Sequence, residues 1–400
     1  MIDVRSALLC AALAGWLAAP ARAADAPAAP AEAMKPFQLV RTLNALQDQT
    51  GVGNRTAHSA QRALLQRIGE EMAKAPAETW ADAKNGRALI SYVLSGGDAD
   101  ILKKLIDDKI EIAGVDLNLS AAAVAYAERR NDEARALLSK VDARKVEPSL
   151  AAHVALVQGI VYAAREPEEA IKRFELARLL APGSLVEQGA LRRQTMLASK
   201  LGRWDQAEKL AAQYLRRFGK AVYAPTFYRE IAEQLAGELD TRDEDQFARL
   251  TKLFALLGEK ERRQTYLLLA ERAILGGKVK MARFAAARAS ELYPEGSAER
   301  ARLQVYGAAA NVASDQTSAG LSLLESVDRN RLGERDTLLA EAAQEVGGDV
   351  LREPGPTGDT VVDEQQIPSA QLAPEQASPM VGLARKSIGK ADELLKAAKK

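Results

Sequence analysis

An all-α chain of stacked helical pairs is the fold class the sequence predicts, and three observations predict it. Aromatic residues make up only 5% of the 400 positions, too few for a typical sandwich or barrel, where Tyr, Trp and Phe are favoured strand formers. Alanine recurs behind short polar turns at a spacing near 37 residues. Only six prolines interrupt the stretch from Phe37 to Val346, whereas proline-rich segments flank it on both sides.

The chain opens with a signal peptide over residues 1–23. Arg5 leads into an apolar run from Ala7 to Ala19, and Ala21-Arg22-Ala23 supplies the small-x-small cleavage pattern. That run is shorter than the roughly 20 residues a bilayer span needs, and no other stretch is long and apolar enough. Cleavage after Ala23 starts the mature chain at Ala24 and places it in the periplasm. It removes Asp3, Arg5 and Arg22, which takes the net charge from +1 to 0, and it removes the single cysteine, Cys10. A lipidated Cys10 would want a small residue before it, and Leu9 stands there. Residues 24–36 are an Ala/Pro linker, too poor in apolar side chains to offset the entropy of packing.

Residues 37–346 carry the repeat. Ala134, Ala170, Ala207, Ala282 and Ala319 each follow a short polar turn, at steps of 36, 37, 75 and 37 residues, with one degenerate unit near Asp243. Ala170 is followed by Phe174, Ala177 and Pro182, and Ala282 by Ala286, Ala289 and Pro294. Small alanines let antiparallel helices approach closely, and the proline ends the second helix because it cannot continue the backbone ladder. This is the second-helix half of a tetratricopeptide-like repeat. Gly202 and Gly277 fall in the turns between helices, where a left-handed residue is favoured. The expected architecture is therefore a tetratricopeptide-like helical-repeat solenoid; a non-repeating bundle with coincidental alanine spacing is the competing reading.

The tail differs in kind. Residues 347–379 hold five prolines and four glycines with almost no periodic apolar residues, a disordered tether. Residues 380–400 carry six basic and two acidic side chains, with Val381, Ala384, Ile388, Ala391, Leu395 and Ala398 at three- and four-residue steps. That is a short basic amphipathic helix suited to docking on the core, on an acidic partner or, weakly, on anionic lipid.

Composition excludes several functions. The formal charge of +1 and pI near 7.7 lack the basic excess of a nucleic-acid binder. One cysteine and two histidines leave no disulfide framework and no Cys- or His-rich metal site. Gly51-Val52-Gly53 follows no strand and has Thr56 where a dinucleotide loop needs its third glycine, so it reads as a turn between helices. Asp240, Asp243, Glu244 and Asp245 lack the glycine and distal glutamate of a calcium loop and read as a helix start. His58 and His153 are isolated residues, packed or at the surface, with no acidic orienter for a serine nucleophile. Neither an enzyme nor a cofactor is expected.

What remains is a binding surface. First helices of such repeats line a concave face that receives partners. In the centre of the array they run from about Leu185 to Leu201 and from Tyr223 to Leu239. Arg192, Arg193, Tyr223, Tyr228 and Arg229 are the candidate partner-binding residues there, because Arg and Tyr are enriched at interface hot spots; at any one position the plainer reading is a solvated arginine or a core tyrosine.

Several stretches resemble a known family. Phe37 to Leu43 and Leu46-Gln47-Asp48 open the match, and Tyr92 to Asp98 continues it. The longest segment runs from Leu176 through Pro182-Gly183-Ser184-Leu185-Val186-Glu187 to Ala190-Leu191-Arg192-Arg193. Arg216-Arg217-Phe218 with Tyr223-Ala224, then Arg263 with Tyr266-Leu267, come later. Together they resemble the MotC family, periplasmic motility proteins of rhizobia and related bacteria. Only Gly183 to Arg193 separates this family from other helical repeats. The resemblance implies a protein needed for flagellar rotation that binds the periplasmic domain of the stator protein MotB. The competing class is a general periplasmic repeat scaffold for cell-wall or envelope assembly.

Overall fold

The computed structural model describes residues 34–238 and 244–352. The expected signal peptide lies outside them, as do most of the following linker, Asp240 and Asp243, and the chain beyond residue 352 with its basic helix. Among the described residues there are seventeen α-helices, three short 3-10 turns and no strand, so the chain is all-α as the composition predicts.

A hairpin of α1 (Pro36–Gly51) and α2 (Arg55–Ala73) comes first, then α3 (Ala83–Leu94) and α4 (Asp100–Asp107). The pairs α5 (Leu117–Ala127) with α6 (Asn131–Leu138), α7 (Pro148–Tyr162) with α8 (Pro167–Leu180), and α9 (Leu185–Lys200) with α10 (Trp204–Phe218) follow. Next are α11 (Ala224–Glu238), α12 (Glu244–Phe254), α13 (Glu259–Leu275) and α14 (Val279–Ser290). The last three are α15 (Ala298–Val312), α16 (Thr317–Ser326) and α17 (Glu334–Leu351). Helices pack within pairs, and α7, α9, α11, α13 and α15 also pack each on the next of that series. That order is compatible with the expected helical repeat.

The alanine register has a simple structural meaning. Ala134, Ala170, Ala207 and Ala282 are each the fourth residue of the second helix of a pair, and all four are buried. α8 and α14 stop before Pro182 and Pro294, and Gly202 and Gly277 turn the chain at φ +69°. At the fifth position the expectation was one residue off. Ala319 is exposed, and the fourth residue of α16 is Gly320. A Cβ there would stand 2.6 Å from the backbone nitrogen of Val312, so helix approach is too close even for alanine. In the degenerate unit the fourth residue of α12 is Phe247, whose ring stacks on Phe284 at 4.5 Å. A ring where the others have a methyl group holds α12 off, and a crevice of about 540 Å³ opens beside Trp204, Ile231 and Leu250.

Two hydrophobic cores meet inside α9. One gathers buried side chains from Leu39 to Ala190, the other from Leu191 to Ala343. The first contains a feature that no local pattern announces: α1 packs on α3 and also reaches α9. The backbone N–H of Val222 donates to the carbonyl of Thr50 at 3.3 Å, and that of Leu185 to the carboxylate of Asp48 at 3.4 Å. Gly53, at φ +101° in the α1–α2 turn, makes this contact feasible, because a Cβ there would lie 2.5 Å from the carbonyl oxygen of Lys220. The hairpin thus covers part of the face of α3 and α9 that the sequence reading leaves open.

At the other end, α17 continues to Leu351, with Ala340, Ala343 and Gly347 buried along one face. The sequence had started the tether at Gly347. Glycines there read as linker composition, but Gly347 is a packing residue against Leu321.

Candidate functional site

The site is built around the start of α9. Ser184 caps the helix, its hydroxyl accepting from the backbone N–H of Glu187 at 3.3 Å. The buried Glu187 carboxylate accepts in turn from the backbone N–H of Gly183 at 2.6 Å and pairs with Arg217 at 2.7 Å. Asp48 of α1 takes the N–H of Leu185, as described above. Burial pushes the Asp48 carboxyl up, and the Leu185 hydrogen bond offsets part of that rise. Four interactions therefore fix where α9 begins and how it is turned.

With α9 so set, Gln188, Gly189, Arg192 and Arg193 share the helix face that looks toward α7 and the hairpin. They line a cavity of about 290 Å³ together with Gln47 of α1, Gln61 of α2, Tyr126 of α5, His153 of α7 and Tyr223. Its apolar wall comes from Leu94, Leu156, Val157, Ile160 and Leu185. Gln188 donates to the Tyr214 hydroxyl at 3.0 Å, and Tyr214 stacks on Phe227 at 3.9 Å. Burial pushes the Tyr214 phenol up to about 12, so it is a neutral hydroxyl throughout the physiological range.

The five predicted residues separate. Arg192, Arg193 and Tyr223 come together on this cavity. Arg192 is half-buried and pairs with Glu230 at 3.4 Å. Arg193 lies deeper; burial first, and then the Arg192 charge, press its pKa down. It remains a cation. It donates through Nη1 to the carbonyl of Gly189 at 3.2 Å, and among the described residues no carboxylate forms an ion pair with it. Tyr223 and His58 form a T-shaped ring pair at 5.2 Å, which ties α2 to the start of α11. Tyr228 stands apart, buried, with its hydroxyl donating to the carbonyl of Gly219. Arg229 is exposed on α11.

Sequence reasoning missed His153 as a cavity residue. It sits deep on α7 with Nδ1 unpartnered, and burial pulls its pKa down to about 4, so the ring is neutral at pH 7. The available signal was a titratable residue inside the otherwise apolar run from Leu150 to Val157. Gln47 and Gln61 gave no such signal, being ordinary polar residues on amphipathic helices.

A shallower groove of about 700 Å³ adjoins the cavity, the two sharing Ile160, Arg192 and Arg193. Its floor is Ile160, Met196 and Leu197, and its rim carries Arg192, Lys200, Glu230 and Glu233. An apolar floor with charges of both signs at the edge is the anatomy of a binding surface. Among the described residues no group of three or more His, Cys, Asp or Glu is placed to hold a metal ion. No helix among them is long and apolar enough to cross a membrane.

Fold and site together define an all-helical protein with an open groove and a recessed cavity on its central helices. The chain belongs to the MotC family, matching "Chemotaxis protein MotC" over residues 2–400. A relative carrying that same description, from Rhizobium meliloti (strain 1021), is 30% identical over 339 residues, covering 84% of this chain and 77% of the relative. No solved structure matches. Membership makes this a protein of bacterial motility and chemotaxis. Most of the resembling stretches meet in space: Phe37 to Asp48 lies in α1, Tyr92 to Asp98 closes α3, Gly183 to Arg193 opens α9, and Arg216 to Ala224 runs from the end of α10 through the turn at Lys220 that meets Gly53 to the start of α11.

Proposed function

We propose that the protein is a non-catalytic, periplasmic accessory of the flagellar motor that holds the periplasmic domain of the stator protein MotB and is required for rotation. The observation that carries this reading is family membership joined to an open groove with an apolar floor and a mixed-charge rim on the central helices. Export rests on the apolar run and Ala21-Arg22-Ala23 at the chain start, with the mature protein beginning at Ala24. The partner contact falls on the groove, with Arg192 at its rim and exposed Arg229 beside Glu230 as the reachable cations. Holding one stator conformation more tightly than another is enough to shift its population, so no cofactor or nucleotide is required.

The test has two arms. A strain lacking the gene should assemble flagella that do not turn, and purified protein should associate with the stator's periplasmic domain. Normal swimming, or no association, would replace the motor reading with a general envelope scaffold. N-terminal sequencing of periplasmic material checks export, with Ala24 the expected first residue and Met1 the contrary result.

A further inference from the structure

We infer that the cavity beneath the N-terminal hairpin is a binding site for a small organic carboxylate, seated on Arg193. Three observations converge on it. Arg193 is a recessed guanidinium, and no carboxylate of the described residues forms an ion pair with it. Glu230, the one carboxylate whose charge raises the Arg193 pKa, is already engaged by Arg192 at 3.4 Å. A recessed cation left without a counter-charge is costly to keep, and it is tolerated where a ligand supplies the charge. The guanidinium offers five N–H donors in a planar fork. One of them serves Gly189, on Arg193's own helix.

The surroundings then select the ligand. Apart from Arg192, whose charge Glu230 already meets, the polar lining is neutral: His153, which is unprotonated at pH 7, and the side chains of Tyr223, Gln47, Gln61 and Gln188. Such groups orient one carboxylate by hydrogen bonds but cannot balance a polyanion. Leu94, Leu156, Val157 and Ile160 give the rest of the ligand an apolar wall. The volume of about 290 Å³ is that of roughly ten water molecules in the liquid, which suits an acid of four to ten carbons at about that order and excludes a folded partner. Because Gln47 and Gln61 come from the hairpin and Arg193 from α9, the occupant bridges the two.

The experiment uses the intact protein and the sodium salts of butyrate, benzoate and phenylacetate, with chloride and the matching amides as controls. At least one carboxylate should raise the thermal midpoint in a saturable way, as ligand binding to the native state must, while chloride and the amides do not. Arg193→Gln should weaken that response about tenfold or more, yet melt no lower than wild type without ligand, since it removes an uncompensated charge. Should Arg193→Gln fail to fold, Leu156→Phe keeps the cation and fills the cavity, and it should lose the benzoate response. No midpoint shift with any of the three acids, equal shifts with chloride, or an unchanged response in a folded variant each overturns the inference. Stator binding is measured separately, so either result can fail while the other stands.

Discussion

The helices before Ala190 and those after Leu191 solve the same packing problem in different ways. After Leu191 the core grows mainly by neighbours, with α13 packed on α14 and α15, and α15 on α16. Its half-buried Arg302 is paired within the chain: it meets Asp336 at 3.0 Å and Glu271 at 3.4 Å, and the Tyr306 hydroxyl donates to Asp336 at 2.6 Å. Before Ala190 the same kind of stacking is closed by a non-local contact, α1 against α9. That closure traps a polar cavity whose arginine lacks an acid. One half is finished as a structure, and the other keeps an interaction in reserve for a ligand.

The comparison breaks most clearly under core deletions. Phe174 and Leu269 are buried in the first and second cores. Phe174→Ala should cost about 3–5 kcal/mol and Leu269→Ala about 2–5 kcal/mol in denaturant unfolding. Faster hydrogen exchange should spread over α1, α3, α7 and α9 in the first variant, because closure couples them. In the second it should stay within α11 to α15. Equal spread through the whole chain in both variants would show one cooperative unit and no division at α9.

A smaller effect sharpens the role of closure. Gly53→Ala forces a side chain against the Lys220 carbonyl at positive φ, a strain of about 1–3 kcal/mol. The hairpin can relieve it by lifting, so proteolysis should increase at α1 and α2 while α13 to α16 keep their protection. Gly320→Ala overpacks the α15–α16 contact by a similar amount, about 1–3 kcal/mol, and should loosen only those helices. Unchanged hairpin protection in Gly53→Ala would mean the close approach at Lys220 does not hold the hairpin.

These two glycines also mark what the sequence could and could not say. Ala170, Ala207 and Ala282 announce helix pairing because the feature repeats locally, every fourth position of a second helix. Gly320 escaped that reading because a still smaller residue replaced the alanine and Ala319 stood next to it. Gly53 was legible as a turn, but its partner is the backbone at Lys220, and no periodicity links residues so distant. The candidate site followed suit. Arg192, Arg193 and Tyr223 were found from residue type on the two central first helices, whereas Gln47 belongs to the site only through the fold-back of α1.

His153 adds a pH test confined to the first half. Its folded pKa of about 4 lies below the ordinary value of 6.5, so the unfolded chain binds more protons between those values. Stability from this group is full above pH 6.5 and falls as the pH drops toward 4. Between pH 7.5 and 5 the loss attributable to His153 should be roughly 2 kcal/mol. A His153→Leu variant should therefore show a flatter pH–stability profile than wild type. Identical slopes would mean that the ring titrates as it does in water and is not shielded by the hairpin.

The smallest stability effect belongs to Arg192, and its smallness is informative. Arg192 and Glu230 are each about 30% exposed, at 28% and 32%, and sit 3.4 Å apart. A pair so accessible contributes about 0–1 kcal/mol after solvent screening, so Arg192→Gln should leave the unfolding midpoint nearly unchanged. Arg302→Gln, by contrast, removes a partner from Asp336 and Glu271 and should cost about 1–3 kcal/mol. If the rim of the groove meets the stator's periplasmic domain, the order inverts for binding. Arg192→Gln should slow association and weaken its salt dependence, because rim charges act on encounter more than on residence, and Arg302→Gln should leave binding as it was. Surface plasmon resonance at two salt concentrations separates the cases. An Arg192 variant with wild-type association kinetics would move the contact off this groove, whatever its effect on stability.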